Sequence, residues 1–399
     1  MHVAFFSDQH PATLGGLQVS PGLQRKYLEA SGHLVTVCAP DSKRRPSPQY
    51  ARPHDVLLRS RQMGDHSFRL AGPLTDRETD TGFAELPPVD VVHIQADVWG
   101  AWNGYRFAQR HGPPVVHTMH TNIAVGLPSL IPMARTAFHL IYAAQRRYMH
   151  TRVRNMAGYV QAFADAADAV IVPTDHFAES LRAYGVSRDL HVIPTGVDDP
   201  QIDRVQSEDH EPNVRPILVW PGRISEEKRL DDVLHALARS RIDAELHVYG
   251  SGPDLERCEE LSGHLGMASL VRFHGAVSHD VMIRAMRHAD AVVQSSLGFE
   301  TQGLTVYEAI SVGTPVLVRD HAIAREIPEN WRLTVTNDSL DALTAALRDL
   351  PATLATGRLS NPGPAPTRFR QSALTSQIVG VYESALASDS GSRRRALTS

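Results

Sequence analysis

Short apolar runs rich in Val and Ile alternate with segments of helical spacing along most of the chain. Runs at 2–7, 34–39, 55–59, 90–94, 114–118, 169–172 and 190–193 form a first series of predicted strands. Runs at 216–221, 245–249, 271–274, 291–294, 315–318 and 332–335 form a second. Strands apolar on both faces and separated by helices belong in parallel sheets. Two such series predict two doubly wound α/β domains. After Ile193-Pro194-Thr195-Gly196-Val197 the chain turns acidic and loses apolar periodicity, which places a linker at 201–215 between a domain at 1–200 and one at 216–366. A helical pattern at 367–387 is expected to return to the first domain, and the Ser- and Arg-rich residues 388–399 are expected to be a disordered tail.

Composition narrows the function. The 399 residues are 42% hydrophobic, enough for large cores, and carry a net charge of −4 from 40 basic and 44 acidic residues. That balance excludes a general nucleic-acid binder, which needs a strongly basic domain. Only three of the basic residues are lysines, Lys26, Lys43 and Lys228. No Asp or Glu occurs between Asp97 and Asp165, a stretch with seven arginines: 106, 110, 135, 146, 147, 152 and 154. Cys38 and Cys258 cannot form a disulfide framework, and the N-terminal Met-His-Val-Ala-Phe-Phe-Ser reads as a strand. No apolar run approaches the ~18 residues of a membrane span. A cytoplasmic protein, at most peripheral on a membrane, is expected.

Ligands of open parallel sheets bind beyond the carboxyl ends of the strands, and the distinctive residues cluster there. Gly15 and Gly16 follow the first strand, and His117 and His120 close the strand at 114–118. Their spacing of three points the two imidazoles to opposite faces, which disfavours a chelating pair. Gly222 and Arg223 follow the strand at 216–221, and Lys228 is expected in the first turn of the next helix. Both can reach one anion at that helix N-terminus, and a lysine there is disfavoured unless an anion is near. Glu300 and Glu308 bracket a predicted helix start at Gly303, where the amides of Gly303 and Leu304 can face an anion. Glu308 lies among apolar neighbours and needs a partner, for which a sugar hydroxyl is suited. Gly250-x-Gly252 lacks the third glycine of a dinucleotide fingerprint and reads as a tight turn.

As an ordered set these residues resemble the retaining glycosyltransferases of family 4, with their GT-B architecture of two Rossmann-like domains facing a cleft. The match runs from Gly15-Gly16 through Thr118-Met119-His120, Gly222-Arg223 with Lys228 and Gly250-Ser251-Gly252-Pro253 to the element Glu300–Glu308 and Gly313-Thr314-Pro315. The wording Glu-Thr-Gln-Gly-Leu-Thr at 300–305 is similar to diacylglycerol glucosyltransferases. The resemblance implies that Arg223 and Lys228 bind a donor diphosphate, while Gly16, Gly303 and Leu304 approach phosphates and sugar through their backbone. It implies that Glu308 holds the ribose hydroxyls and Glu300 the transferred sugar. His120 would lie near the anomeric carbon and the base near Gly275 and Ala276. Departures are Arg229, where the family often has Gly, and Gln302, often Phe. No D-x-D motif stands at a strand end, so no metal is expected and the cations stand in its place.

Residues 133–154 read as a helix at about 100° per residue. Met133, Ala137, Leu140, Ile141, Ala144 and Tyr148 fall on one face. Arg135, Arg146, His139 and His150 fall on the other with Tyr142 and, at its edge, Phe138, while Arg147 and Arg154 flank the apolar stripe. A basic face with two aromatics and no acids suits an anionic membrane surface or a phosphorylated acceptor. The reading is a transferase moving a hexose from a UDP-glucose or GDP-mannose type donor to a membrane lipid. Alternatives are a soluble sugar or sugar phosphate acceptor, or a nucleotide-sugar epimerase or hydrolase of the same fold.

Overall fold

The computed structural model describes residues 1–11, 16–41, 52–62, 69–71, 75–130, 134–209, 212–356, 359 and 365–397. It divides into two compact units, Met1–Thr195 with Gln371–Ser399, and Gly196–Arg370. In the first unit the strands are β1 (His2–Ser7), β2 (Leu34–Pro40), β3 (Val56–Leu58), β4 (Ser60–Gln62), β5 (Arg69–Ala71), β6 (Val91–Gln95), β7 (Val115–Thr118), β8 (Ala169–Val172) and β9 (Leu190–Val192). The second unit carries β10 (Ile217–Pro221), β11 (Glu245–Tyr249), β12 (Val271–Phe273), β13 (Ala291–Gln294), β14 (Val316–Val318) and β15 (Arg332–Thr334). Every predicted strand is present. The sequence reading missed the antiparallel pair β4–β5, which lies in the Arg- and Pro-rich stretch after residue 41.

Both large sheets are parallel. The first runs β3-β2-β1-β6-β7-β8-β9 and the second β12-β11-β10-β13-β14-β15. In each, the chain winds outward from a central strand and then returns to its other side. The crevice of such a sheet lies where the winding reverses, here between β1 and β6 and between β10 and β13. The loops leaving those four strands hold Asp8, Asp97, Lys228 and Glu300.

Alternation along β1 shows why these runs become buried strands. Val3 and Phe5 enter one apolar cluster, and Ala4 and Phe6 enter the cluster on the opposite face. Each fully buried Phe contributes about 1.5–3 kcal/mol relative to exposure. The helix Gln371–Leu397 closes one face with Leu374, Ile378, Val381, Tyr382 and Ala385, a helical stripe packed against Phe5, Val37 and Val116. That helix begins later than the predicted 367. Thr367–Phe369 form a 3-10 turn whose Phe369 packs on Tyr307 in the second unit. The expected tail start at 388 falls inside the helix.

The acidic stretch read as a linker contains a helix, Asp199–Gln206. Ile202 and Val205 bury against the second unit, and the Gln206 amide donates to the Ser311 carbonyl at 2.7 Å. Two apolar residues three apart suffice to dock two turns, too few for a periodicity to stand out.

Candidate functional site

In the second unit, three strand-end loops are joined backbone to backbone. Gly222 N–H donates to the Tyr249 carbonyl at 2.9 Å, Gly250 N–H to Gly275 at 2.8 Å and Ile224 N–H to Ser251 at 3.0 Å. A Cβ on Gly250 would stand 1.8 Å from the Gly222 oxygen, and one on Gly252 2.1 Å from the Ile224 oxygen. These glycines are therefore required by close approach of the two loops. The junction holds Arg223, which is exposed, and Ala276, exposed after Gly275.

Lys228 is not in the first turn of a helix. It ends a 3-10 turn, Glu226–Lys228, and Arg229 then turns left-handed (φ +55°) before the helix Leu230–Ser240 begins. The anion expected beside Lys228 is supplied by the chain: its Nζ donates to the Glu300 carboxylate and stands 5.1 Å from the centre of the Phe299 ring. Ser296 Oγ donates to the same carboxylate oxygen at 2.9 Å. Trp220 Nε1 donates to Ser295 Oγ at 2.8 Å, and Ser295 Oγ donates to the Lys228 carbonyl at 2.6 Å. The loops after β10 and β13 are thus tied across the winding reversal. Gly298 N–H, donating to Asp320 at 2.7 Å, anchors the loop that carries Glu300.

Gly303 is left-handed (φ +71°), a conformation that favours glycine, and turns the chain into the helix Leu304–Ser311. Glu308 is 6% exposed on that helix, between buried Tyr307 and Ala309. Its partner is His279, whose Nε2 lies 2.7 Å from Glu308 Oε1. Burial works against the charged imidazole, but the Glu308 carboxylate, with Asp198 and Asp280 near, holds its pKa above the ordinary value. Sequence reasoning missed His279, which lies outside every motif and 29 positions from Glu308.

The first unit builds its site differently. His120 is buried after β7, its Nε2 2.6 Å from Gln95 Oε1 at the end of β6. The Gln95 amide donates to Gln24 at 2.6 Å, and Gln24 donates to Ser20 at 3.1 Å. An amide oxygen only accepts, so His120 carries its proton on Nε2. Burial pushes its pKa down to about 4 and keeps it neutral. His117 turns away to the Ala96 carbonyl (2.8 Å) and the Tyr105 hydroxyl (3.0 Å) and supports the core. Gly16 opens the helix Gly16–Ala30 after β1, and Gly15 lies outside the described residues.

Two carboxylates at this winding reversal were also missed. Asp8, just past β1, accepts N–H groups of Asp97 (2.9 Å), Val98 (3.1 Å) and Gly100 (2.8 Å) at the start of the helix Trp99–His111. Asp97, just past β6, accepts from the Thr121 side chain and from the backbone of His120 and Thr121. Burial and the Asp8 charge push its pKa up to about 7. Their placement at the ends of β1 and β6 is the signal that would have found them.

The basic block is smaller in space than in sequence. Arg110 pairs with Asp76 (2.9 Å) and Asp80 (2.8 Å), and Arg106 pairs with Asp76. The helix Ala134–Met149 keeps Ile141, Ala144 and Tyr148 of its predicted apolar face against the core but is rotated toward its other side. Tyr142, Gln145 and Met149 are buried and Phe138 packs with them, while Leu140 is 67% exposed. Gln145 turns inward because its amide donates to the Tyr159 carbonyl at 3.1 Å, and Tyr142 packs between Phe138 and Tyr159. The outward surface holds His139, Leu140, Ala143, Arg146, Arg147 and His150, continued by Arg152 and Arg154. Arg146 donates to the Val153 carbonyl at 2.6 Å; Arg147, Arg152 and Arg154 have no ion pair among the described residues. Arg135 lies on the helix, with its side chain outside the described residues. No helix among the described residues is long and apolar enough to cross a membrane.

Two family descriptions match consecutive parts of the chain: "Glycosyltransferase Family 4" over residues 14–200 and "Glycosyl transferases group 1" over residues 202–352. An alpha-monoglucosyldiacylglycerol synthase of Streptococcus pneumoniae is 26% identical over 79% of this chain and 70% of its own. A phosphatidyl-myo-inositol mannosyltransferase of Mycolicibacterium smegmatis is 25% identical over 92% of this chain and 90% of its own. In fold, the chain is similar to a sucrose-phosphate synthase from Thermosynechococcus elongatus, with a TM-score of 0.72, 20% identity and coverage of 97% of this chain and 100% of that one.

Proposed function

From the premise that the chain belongs to the GT-B glycosyltransferases of family 4, we propose that it transfers a hexose from a nucleoside-diphosphate donor to a membrane lipid, with retention at the anomeric carbon. The observation that carries the donor half is the meeting of Lys228, Glu300 and the helix start at Gly303 at the winding reversal of the second sheet. Lys228 and Glu300 neutralise one another without ligand. A bound diphosphate takes over Lys228, joined by Arg223 and the amides at 303–304, and releases Glu300 to accept hydroxyls of the sugar.

Cleavage of the sugar–phosphate bond leaves positive charge on the sugar and a negative charge on the diphosphate. Preorganised cations and amides stabilise that leaving charge, each worth about 3–4 kcal/mol in a dry site. Arg223 and Lys228 thus supply the positive charge that a metal ion supplies elsewhere. The acceptor hydroxyl attacks on the face the diphosphate leaves and passes its proton to a departing phosphate oxygen. Neutral His120, fixed by Gln95, serves the sugar near its anomeric carbon.

For the lipid half, Leu140 stands exposed among Arg146, Arg147 and His150, with Arg152 and Arg154 beyond. An exposed apolar residue on a helix that also exposes arginines suits an anionic bilayer surface, where each basic residue contributes about 1 kcal/mol. The test is incubation with UDP-glucose, UDP-galactose and GDP-mannose carrying labelled sugar, with and without lipid extract. A lipid-extractable labelled product supports the reading. A water-soluble glycoside, or donor hydrolysis alone, overturns it.

A further inference from the structure

Glu308 is assigned to the ribose hydroxyls under the reading above, but nothing in that assignment explains how a buried carboxylate keeps a defined orientation before any nucleotide arrives. A carboxylate side chain only 7% exposed is costly unless it is partnered. Among the described residues its ion-pair partner is His279, at the start of the helix His279–Arg287. The contact is a single one: Nε2 to Oε1, 2.7 Å. An ionised carboxylate offers about four acceptor positions on two oxygens. One bond to Oε1 therefore fixes the plane of the group and leaves Oε2 entirely to a diol.

The two ends of this pair have unequal environments. The Glu308 side chain is 7% exposed and that of His279 47%. His279 thus joins an enclosed carboxylate to solvent-facing surface, where it can respond to a ligand. Asp198 and Asp280 favour its cationic form, and Asp280 is itself held by Arg204 at 2.6 Å and Arg284 at 3.3 Å. His279 also follows Gly275 and Ala276 in the same connection after β12, the segment assigned to the base.

Resting on the assignment of Glu308, we propose that His279 is a positioning residue for the nucleotide: it fixes the Glu308 carboxylate so that the group meets the ribose hydroxyls already oriented. Without it, Glu308 must lose its rotamer freedom on binding, and nucleoside diphosphate affinity falls about tenfold. The maximal rate with saturating donor stays within about twofold, because His279 acts on binding and not on the bond that breaks.

The test is calorimetric titration of the full-length protein with UDP, GDP and their 2′,3′-dideoxy counterparts. For the nucleotide that binds, His279→Ala should weaken the ribose form about tenfold and leave the dideoxy form unchanged, and His279→Gln, which keeps a neutral donor, should recover most of the loss. Adding His279→Ala to Glu308→Gln should cost nothing further. If Glu308→Gln discriminates ribose from dideoxyribose but His279→Ala does not, the positioning role is wrong. If Glu308→Gln weakens both forms alike, the ribose assignment itself fails. Thermal unfolding of each variant separates misfolding from either result.

Discussion

The two units carry the same winding but hold their site residues by opposite means. In the first, the polar groups beside the winding reversal are enclosed and largely neutral: Ser20, Gln24, Gln95 and His120 form one hydrogen-bonded chain, next to the raised carboxyl of Asp97. In the second, they are ion pairs: Lys228 with Glu300, both partly exposed, and half-exposed His279 with buried Glu308. A neutral enclosed network is rigid and suits the positioning of an uncharged sugar and hydroxyl. A partly exposed pair such as Lys228–Glu300 can exchange partners at small cost, which suits a diphosphate that arrives and leaves charged.

The largest effect expected is on the charged side. Lys228→Ala and Glu300→Ala should each lower kcat/KM for transfer by about 10³ or more. Full activity in either would remove the second unit's ion pair from the reaction. For the basic surface of the first unit, replacing Arg147, Arg152 and Arg154 together by Gln should weaken sedimentation with anionic vesicles by about 3 kcal/mol, roughly two orders of magnitude, and leave neutral vesicles unaffected.

The enclosed side should show itself in pH dependence. The Asp97 carboxyl sits at about 7 in the folded protein, against 3.8 for an ordinary aspartate. Between those values the folded chain binds more protons there than the unfolded one. This group's contribution to stability is therefore present at acid pH and is lost as the pH rises through 7. Asp97→Asn removes the dependence, so its stability relative to wild type should improve by up to about 1.4 kcal/mol per pH unit from pH 4 to 7 in urea unfolding. A constant difference would contradict the enclosed carboxyl.

The smallest effect concerns Arg229, left-handed at φ +55°. An L-residue there costs about 1–2 kcal/mol, and glycine gives back part of that through unfolded-state entropy. Arg229→Gly should raise the urea midpoint by the equivalent of about 0.5 kcal/mol. The same geometry accounts for the glycine that family 4 often places after the lysine.

The sheets and the polar residues at the strand ends of the second unit were legible because their signals are contiguous. Continuous apolar runs mark the strands, which are buried on both faces, and Arg223 with Lys228, or Glu300 with Glu308, stand within one short segment near a strand end. What was illegible depends on partners brought from a distance. His279 meets Glu308 only in the folded unit, and Asp8 and Asp97 become neighbours only because β1 lies beside β6. The acid-free block is in part a feature of the sequence alone, since Asp76 and Asp80 on the helix Asp76–Phe83 approach Arg106 and Arg110, while its later arginines keep an acid-free surface among the described residues. The predicted face of the helix Ala134–Met149 held for Ile141, Ala144 and Tyr148 but not for Leu140 or Tyr142, because a glutamine with a carbonyl to bond can replace an apolar residue on the buried face.

The central claim is that the second unit's exchangeable ion pair receives the donor diphosphate. Calorimetric titration of UDP and GDP into wild type and Lys228→Ala addresses it without any assumption about the acceptor. One of the two nucleotides should bind wild type, and Lys228→Ala should weaken it by about 10–100-fold. Equal affinity for wild type and variant would contradict the account.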